Sequence, residues 1–212
     1  MSFRLQMLLD NLEENYGNPD FKRSVQDLLA ATVERLEGIA GRFQAHQDAV
    51  LVKISLDVND ILRVVAEAAT AGRGRTRPPA ALPTLSLALG EVPEAWADPD
   101  YLRDAFASLL DNAMEAAGPG GKVVVRSSPT RARGRARVTV DFIDNGQGMS
   151  SEFARDRLKS PFGTTKEKGV GLGLYTAARI VRHHRGTIRI LSAPGGGTMV
   201  RLGFPAAAPA GE

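Results

Sequence analysis

The chain has 212 residues, with 27 Lys and Arg against 24 Asp and Glu, for a net charge of +3. At 43% hydrophobic and 24% charged residues it suits one packed domain plus an appendage and excludes wholesale disorder. The absence of cysteine excludes disulfide scaffolds, cysteine-zinc sites and thiol chemistry, and no apolar run is long enough to span a bilayer.

Residues 1–46 predict a helical hairpin. Leu5, Leu8 and Leu12 follow helical spacing, and Asn15-Tyr16-Gly17 breaks the pattern. Asn18-Pro19-Asp20 then opens a second helix: an asparagine to cap, a proline at the first helical position and an acid at the positive end of the dipole. Phe21, Val25, Leu28, Leu36, Ile39 and Phe43 make a narrow apolar seam with Thr32 as its polar member. Such a hairpin cannot bury its faces alone, so packing against another copy or against further sequence is expected.

Residues 51–205 predict a second domain. Leu51 to Ala69 reads as a short strand and a helix capped by Asp57 or Asn59. A basic Gly/Pro loop over 72–79 precedes an alternating strand over Leu85–Leu89. Asp98-Pro99-Asp100 opens a helix that ends at Gly118-Pro119-Gly120-Gly121. Lys122–Ser127 and Arg137–Ile143 predict paired strands around an arginine-rich loop. The glycine-punctuated stretch from Asp144 to Gly173 follows; between Asp144 and Gly169 it shows no clear strand or long helix, which suits a mobile or lid-like loop. A helix over Leu174–His184, strands over Thr187–Ser192 and Thr198–Phe204, and a flexible tail over 206–212 complete the chain. Strands and helices mix without regular alternation. The predicted class is therefore α+β: a two-layer sandwich, with helices covering one face of a mixed sheet.

Four segments carry chemistry. Ser108, Asn112 and Glu115 share one helix edge at i, i+4 and i+7. An outward Asn offers a hard, neutral oxygen to a magnesium ion shared with phosphates. Val138, Val140 and Phe142 alternate along a half-buried strand that delivers Asp144 to Asn145-Gly146-Gln147-Gly148. A fixed carboxylate accepts from the N6 amino group of adenine and disfavours the O6 of guanine, and Gly146 and Gly148 let backbone lie close to a flat base. Ser160 to Lys166 places Thr164, Thr165 and an ammonium where a triphosphate tail could be met. Gly169-Val170-Gly171-Leu172-Gly173 enters a helix and offers backbone amides to phosphates. Its spacing is neither that of a dinucleotide fold nor that of a Walker A loop.

In this order, Ser108–Glu115, Asp144–Met149, Pro161–Lys166, Gly169–Leu174 and Gly196-Gly197-Thr198 resemble the N, G1, F, G2 and G3 boxes of sensor histidine kinases. They also resemble the wider ATPase superfamily of DNA gyrase B subunits, heat-shock chaperones and mismatch-repair proteins. The resemblance covers about residues 51–205 and implies a Bergerat-type ATP fold. It implies that Asn112 holds Mg²⁺, that Asp144 binds the adenine amino group, and that Gly146 and Gly148 line the base. Thr165, Lys166 and the stretch Gly169, Gly171, Leu172 and Gly173 would meet the phosphates, and Thr198 would support the adenine. Asn112, Ser108 and Lys166 are then the residues closest to the chemistry. ATP, a response-regulator receiver domain and a second copy held through the hairpin are the implied partners. A cytoplasmic location is implied, with membrane anchoring of the parent left open.

Two departures qualify the resemblance. Ser108 stands where hydrolysing relatives carry Glu, so slow hydrolysis is expected. Residues 1–46 resemble the dimerisation and phosphotransfer hairpin but lack its His-Asp/Glu acceptor box; the acceptor is expected a few residues before Met1, which makes the chain a kinase fragment. His46 is expected to be a solvated helix end, and His183 and His184 to cap a helix C-terminus favourable to positive charge. Arg126, Arg131, Arg133, Arg135 and Arg137 crowd one hairpin without interleaved aromatics, so nucleic acid is not an expected partner. The competing functions are a non-catalytic interaction module derived from a kinase and a hydrolytic ATPase of the same superfamily.

Overall fold

The computed structural model describes residues 17–27, 29–30, 51–74, 82–159 and 172–207. The chain divides into two compact units, Met1–Val50 with Thr165–Gly169, and Leu51–Thr164 with Val170–Glu212.

In the first unit a helix, α1, covers residues 19–27. Its start is the predicted one: Asn18 Oδ1 accepts the Asp20 N–H at 2.9 Å, and Pro19 fills the first helical position. The rest of the predicted seam and His46 lie outside the described residues.

The second unit is α+β, as predicted. Its elements are β1 (Ile54–Leu56), α2 (Val58–Gly74), β2 (Thr84–Leu89), β3 (Ala95–Ala97), α3 (Pro99–Ala117), β4 (Lys122–Ala132), β5 (Arg135–Asp144), α4 (Ser151–Arg157), α5 (Gly173–His183), β6 (Thr187–Ser192) and β7 (Thr198–Pro205). The main sheet runs β2-β4-β5-β7-β6; β2 and β4 are parallel and every other pair is antiparallel. β1 and β3 form a separate two-stranded ribbon.

Period-2 alternation sends Val123, Val125, Val138, Val140, Phe142, Leu202 and Phe204 to one face of the sheet, where all are buried. The apolar stripes of α2, α3 and α5 cover them with Leu62, Leu102, Leu109, Leu110, Ile180 and Val181. Phe106 of α3 sits at the centre, its ring 5.8 Å from Phe142 and 6.1 Å from Phe204.

Local chemistry settles several boundaries. Asp57, rather than Asn59, caps α2 by accepting the Asn59 N–H at 2.8 Å. Asn59 is buried instead, donating to Gly90 O and accepting from Ser127 Oγ. The β4–β5 hairpin runs past the predicted arginine-rich loop to a two-residue turn at Arg133-Gly134, both with positive φ. That geometry matches the twist of paired strands, and an arginine at φ 51° is an uncommon way to reach it. α4, absent from the sequence-based expectation, is capped by Ser150, whose Oγ accepts the Phe153 N–H at 3.2 Å.

His184 departs from its expectation. It does end α5, with Nδ1 2.7 Å from Ile180 O, but it is buried, and Nε2 accepts the Asp98 N–H at 3.0 Å. One ring nitrogen therefore donates and the other accepts, which is the neutral imidazole and not the cation that the helix dipole would favour. Burial pushes its pKa below the ordinary histidine value, helped by Lys53 and His183 and opposed by the Ile180 carbonyl and Asp98. Asp98 caps α3 through Oδ1, accepting from Asp100 and Tyr101, while its Oδ2 accepts the Val52 N–H at 2.8 Å. This junction joins the entry of β1, the start of α3 and the end of α5.

The unfolded chain takes up a proton on His184 near pH 6.5 and the folded chain does so only at lower pH. Its contribution to stability is therefore complete above pH 6.5 and declines as pH falls below it, by up to about 1.4 kcal/mol per pH unit. Urea unfolding of His184→Gln should show a shallower loss between neutral and mildly acidic pH than the unmodified chain. Parallel profiles for the two would remove His184 as the cause.

Candidate nucleotide site

α3 brings two groups of predicted site residues together. On one turn, half-buried Ser108 and Asn112 face the start of α5. A Cβ on Gly173 would lie 2.5 Å from Ser108 Oγ and 3.1 Å from Asn112 Nδ2, so a larger residue would have to displace the Ser108 side chain for α5 to begin this close to the predicted magnesium ligand. Leu172 at the N-cap has no side-chain acceptor, and no acid lies in the first turn. The amides that open α5 are thus left without a side-chain cap, beside Asn112. Glu115, the third residue of the predicted edge, is exposed.

One turn further along α3, the carbonyl of Ala116 meets Gly146, where a Cβ would overlap it. Ala116 follows Asn112 by four residues, about 6 Å along the helix axis. Gly146 belongs to the turn that leaves β5. Its N–H donates to Asp144 Oδ1 at 2.9 Å, which fixes one carboxylate oxygen. Asp144 is buried in register with Thr198 of β7 and Val123 of β4. Asn145 closes the strand end by accepting the Lys122 N–H at 2.7 Å. Gly148 has φ 64° and lies against the backbone of Ala193 so closely that no side chain fits. The G1 turn is thereby held onto the loop that follows β6, a contact reinforced by the Gly195 N–H donating to Gln147 O at 2.7 Å.

Ser192 is a member of this site that no sequence motif announced. Its Oγ donates to Gly197 O at 2.9 Å, accepts the Met149 N–H at 2.9 Å and lies 2.9 Å from Thr198 Oγ1. A hydroxyl has one proton, and here it goes to Gly197. Thr198 must then donate to Ser192, which leaves its own lone pairs as acceptors, in register with Asp144. The only signal in the sequence is the position of Ser192 as the last strand residue before Ala193-Pro194-Gly195.

The structure therefore gathers Ser108, Asn112, Leu172 and Gly173 at one end of a helical turn and Asp144, Gly146, Gly148 and Thr198 at the other. Thr165, Lys166, Gly169 and Gly171 lie outside the described residues. Among the described residues no group of three or more His, Cys, Asp or Glu side chains could hold a metal unaided. The neutral oxygen of Asn112 suits Mg²⁺ that takes its other ligands from phosphates and water.

The family model described as histidine kinase-, DNA gyrase B- and HSP90-like ATPase matches residues 97–208, the stretch that carries α3, the Asp144 turn and the start of α5. The chain belongs to that family. It is 33% identical over 117 residues to sporulation kinase E of Bacillus subtilis, covering 55% of this chain and 15% of that protein. It is 37% identical over 114 residues to sensor histidine kinase ZraS of Escherichia coli, covering 54% of this chain and 23% of that one. The chain thus matches less than a quarter of the length of either relative. Full-length ShkA, solved in complex with AMPPNP, superposes with a TM-score of 0.66 at 24% identity, covering 88% of this chain and 40% of that one. No described helix is long and apolar enough to cross a membrane.

Proposed function

We propose that this chain is the ATP-binding catalytic region of a two-component sensor histidine kinase. It holds ATP and Mg²⁺ for phosphoryl transfer to a histidine of the kinase. The observation that carries the reading is the convergence on α3: Asn112 beside the uncapped start of α5, and Ala116 beside the Asp144–Gly148 turn, within about 6 Å of helix axis.

Each residue has a task in this reading. Asp144, with one oxygen fixed by the Gly146 N–H, accepts from the adenine N6 amino group, and Thr198 adds an acceptor beside it. Gly146 and Gly148 bring backbone against the base. Asn112 holds Mg²⁺, which when bound neutralises charge on the transferring phosphates. The amides of Gly169, Gly171, Leu172 and Gly173, together with Thr165 and Lys166, receive the phosphate oxygens. Ser108 lacks the basicity to activate water, so the nucleotide is kept for the histidine rather than hydrolysed. That property weighs against the hydrolytic reading. Phosphate then passes to a receiver domain, in a cytoplasmic homodimer formed through the N-terminal hairpin.

The test is selectivity. In titration calorimetry with Mg²⁺ present, ATP should bind at least tenfold more tightly than GTP, because the O6 of guanine faces a carboxylate acceptor with no proton between them. Equal affinity, or none for ATP, would overturn the assignment. The kinase step is tested separately, by transfer of labelled γ-phosphate to a histidine-bearing hairpin supplied in trans.

A further inference from the structure

The face of the main sheet turned away from the helices carries a pattern that the nucleotide site does not use. With alternate residues buried against the helices, the intervening ones point outward, and strand register lines them up in rows. One row is apolar: Val124 of β4, Ile143 of β5, Met199 of β7 and Leu191 of β6, the last 60% exposed. The next row, two residues along each strand and about 7 Å away, reads Arg126, Asp141, Arg201 and Arg189.

Asp141 lies beneath the two flanking arginines. Arg126 Nη2 is 3.0 Å from its Oδ2, and Arg201 Nε is 2.6 Å from its Oδ1. Asp141 is buried, while both arginines keep nearly half of their side-chain surface exposed. The row therefore holds Arg126 and Arg201 on Asp141 and remains cationic after internal pairing. Beyond it Arg137 lies over Gly203 and donates to that carbonyl at 2.9 Å. Among the described outward positions of the main sheet, Asp141 is the sole acid, against Lys122, Arg126, Arg135, Arg137, Arg189 and Arg201.

We propose that this face docks an acidic amphipathic helix of a partner protein, laid across the strands. Its apolar stripe would follow Val124–Leu191, and its carboxylates would meet Arg126, Arg201 and Arg189. Four strands span about 14 Å centre to centre, the length of two to three helical turns. Charge complementarity selects the occupant. The same described positions include no Trp, Tyr or Phe, so the face lacks both the interfacial anchors suited to a lipid surface and the stacking platform suited to single-stranded nucleic acid.

The test uses the whole chain and a synthetic helical peptide about three turns long, with leucines on one face flanked by glutamates, beside a scrambled peptide of the same composition. Backbone amide shifts should move along β4, β5, β7 and β6, and binding should weaken with salt. Arg189→Glu and Leu191→Glu should each weaken peptide binding by roughly tenfold or more and leave ATP affinity unchanged. Equal binding of the scrambled peptide, shifts confined to other surfaces, or insensitivity to both substitutions would overturn the proposal. So would preferential binding to mixed phosphatidylcholine–phosphatidylserine vesicles or to an oligouridine strand, and so would no binding at all.

Discussion

Asp144→Asn should reduce ATP affinity at least a hundredfold, about 2.7 kcal/mol. The local bonds give the reason. Asparagine keeps an oxygen to accept the Gly146 N–H, which Asp144 accepts at 2.9 Å, so the turn leaving β5 survives. What changes is the second arm, where an NH₂ replaces a carboxylate oxygen and turns a donor toward the adenine amino group. A buried donor facing a donor loses one hydrogen bond and leaves both groups unsatisfied. Because Asp144 is buried, water cannot restore the loss. Calorimetry beside a thermal melt separates the outcomes: retained ATP affinity would remove the adenine role, and a collapsed melting temperature would make Asp144 structural.

The second large effect concerns Asn112. Asn112→Ala should abolish the Mg²⁺-dependent part of ATP binding and lower phosphoryl transfer by at least a hundredfold, about 2.7 kcal/mol in the barrier. Asn112 is half-buried on the edge of α3 that faces Gly173 rather than in the Phe106 core, so alanine should cost the fold little. The readout is ATP affinity with Mg²⁺ and with a chelator. The unmodified chain should lose affinity when the ion is removed, and the variant should bind equally weakly in both conditions. A variant that still responds to Mg²⁺ would place the ion elsewhere.

Much of this protein was legible along the chain because its signals are local. The Asp98-Pro99-Asp100 cap set the start of α3, and glycines set its end. Alternation through Val138, Val140 and Phe142 marked β5 and the residue that it delivers at its end. The Asn18 cap and Pro19 marked α1. Features made by non-local pairing were not legible. β3 is three residues, Ala-Trp-Ala, with too little pattern to announce a strand, and it exists through pairing with β1. The arginine-rich stretch looked like loop because charge conceals alternation; cross-strand bonding carried the hairpin to Arg133-Gly134. Ser192 shows no motif at all, since its role consists of contacts with Met149, Gly197 and Thr198.

Spacing, caps and glycine placement alone determined the α+β class, the order of the elements other than β3 and α4, and the types of side chain available to a nucleotide. Tertiary structure decided which of them meet. Asn112 and Gly173 are 61 positions apart (173 minus 112), and only the packing of α5 against α3 makes them neighbours. The protonation state of His184 was decided the same way: sequence placed it where a helix dipole favours the cation, and burial, with Nε2 accepting the Asp98 backbone N–H, made it neutral. The physical reason is common to both. Backbone preference acts over one or two turns, whereas proximity, burial and desolvation depend on the elements that the completed core brings together.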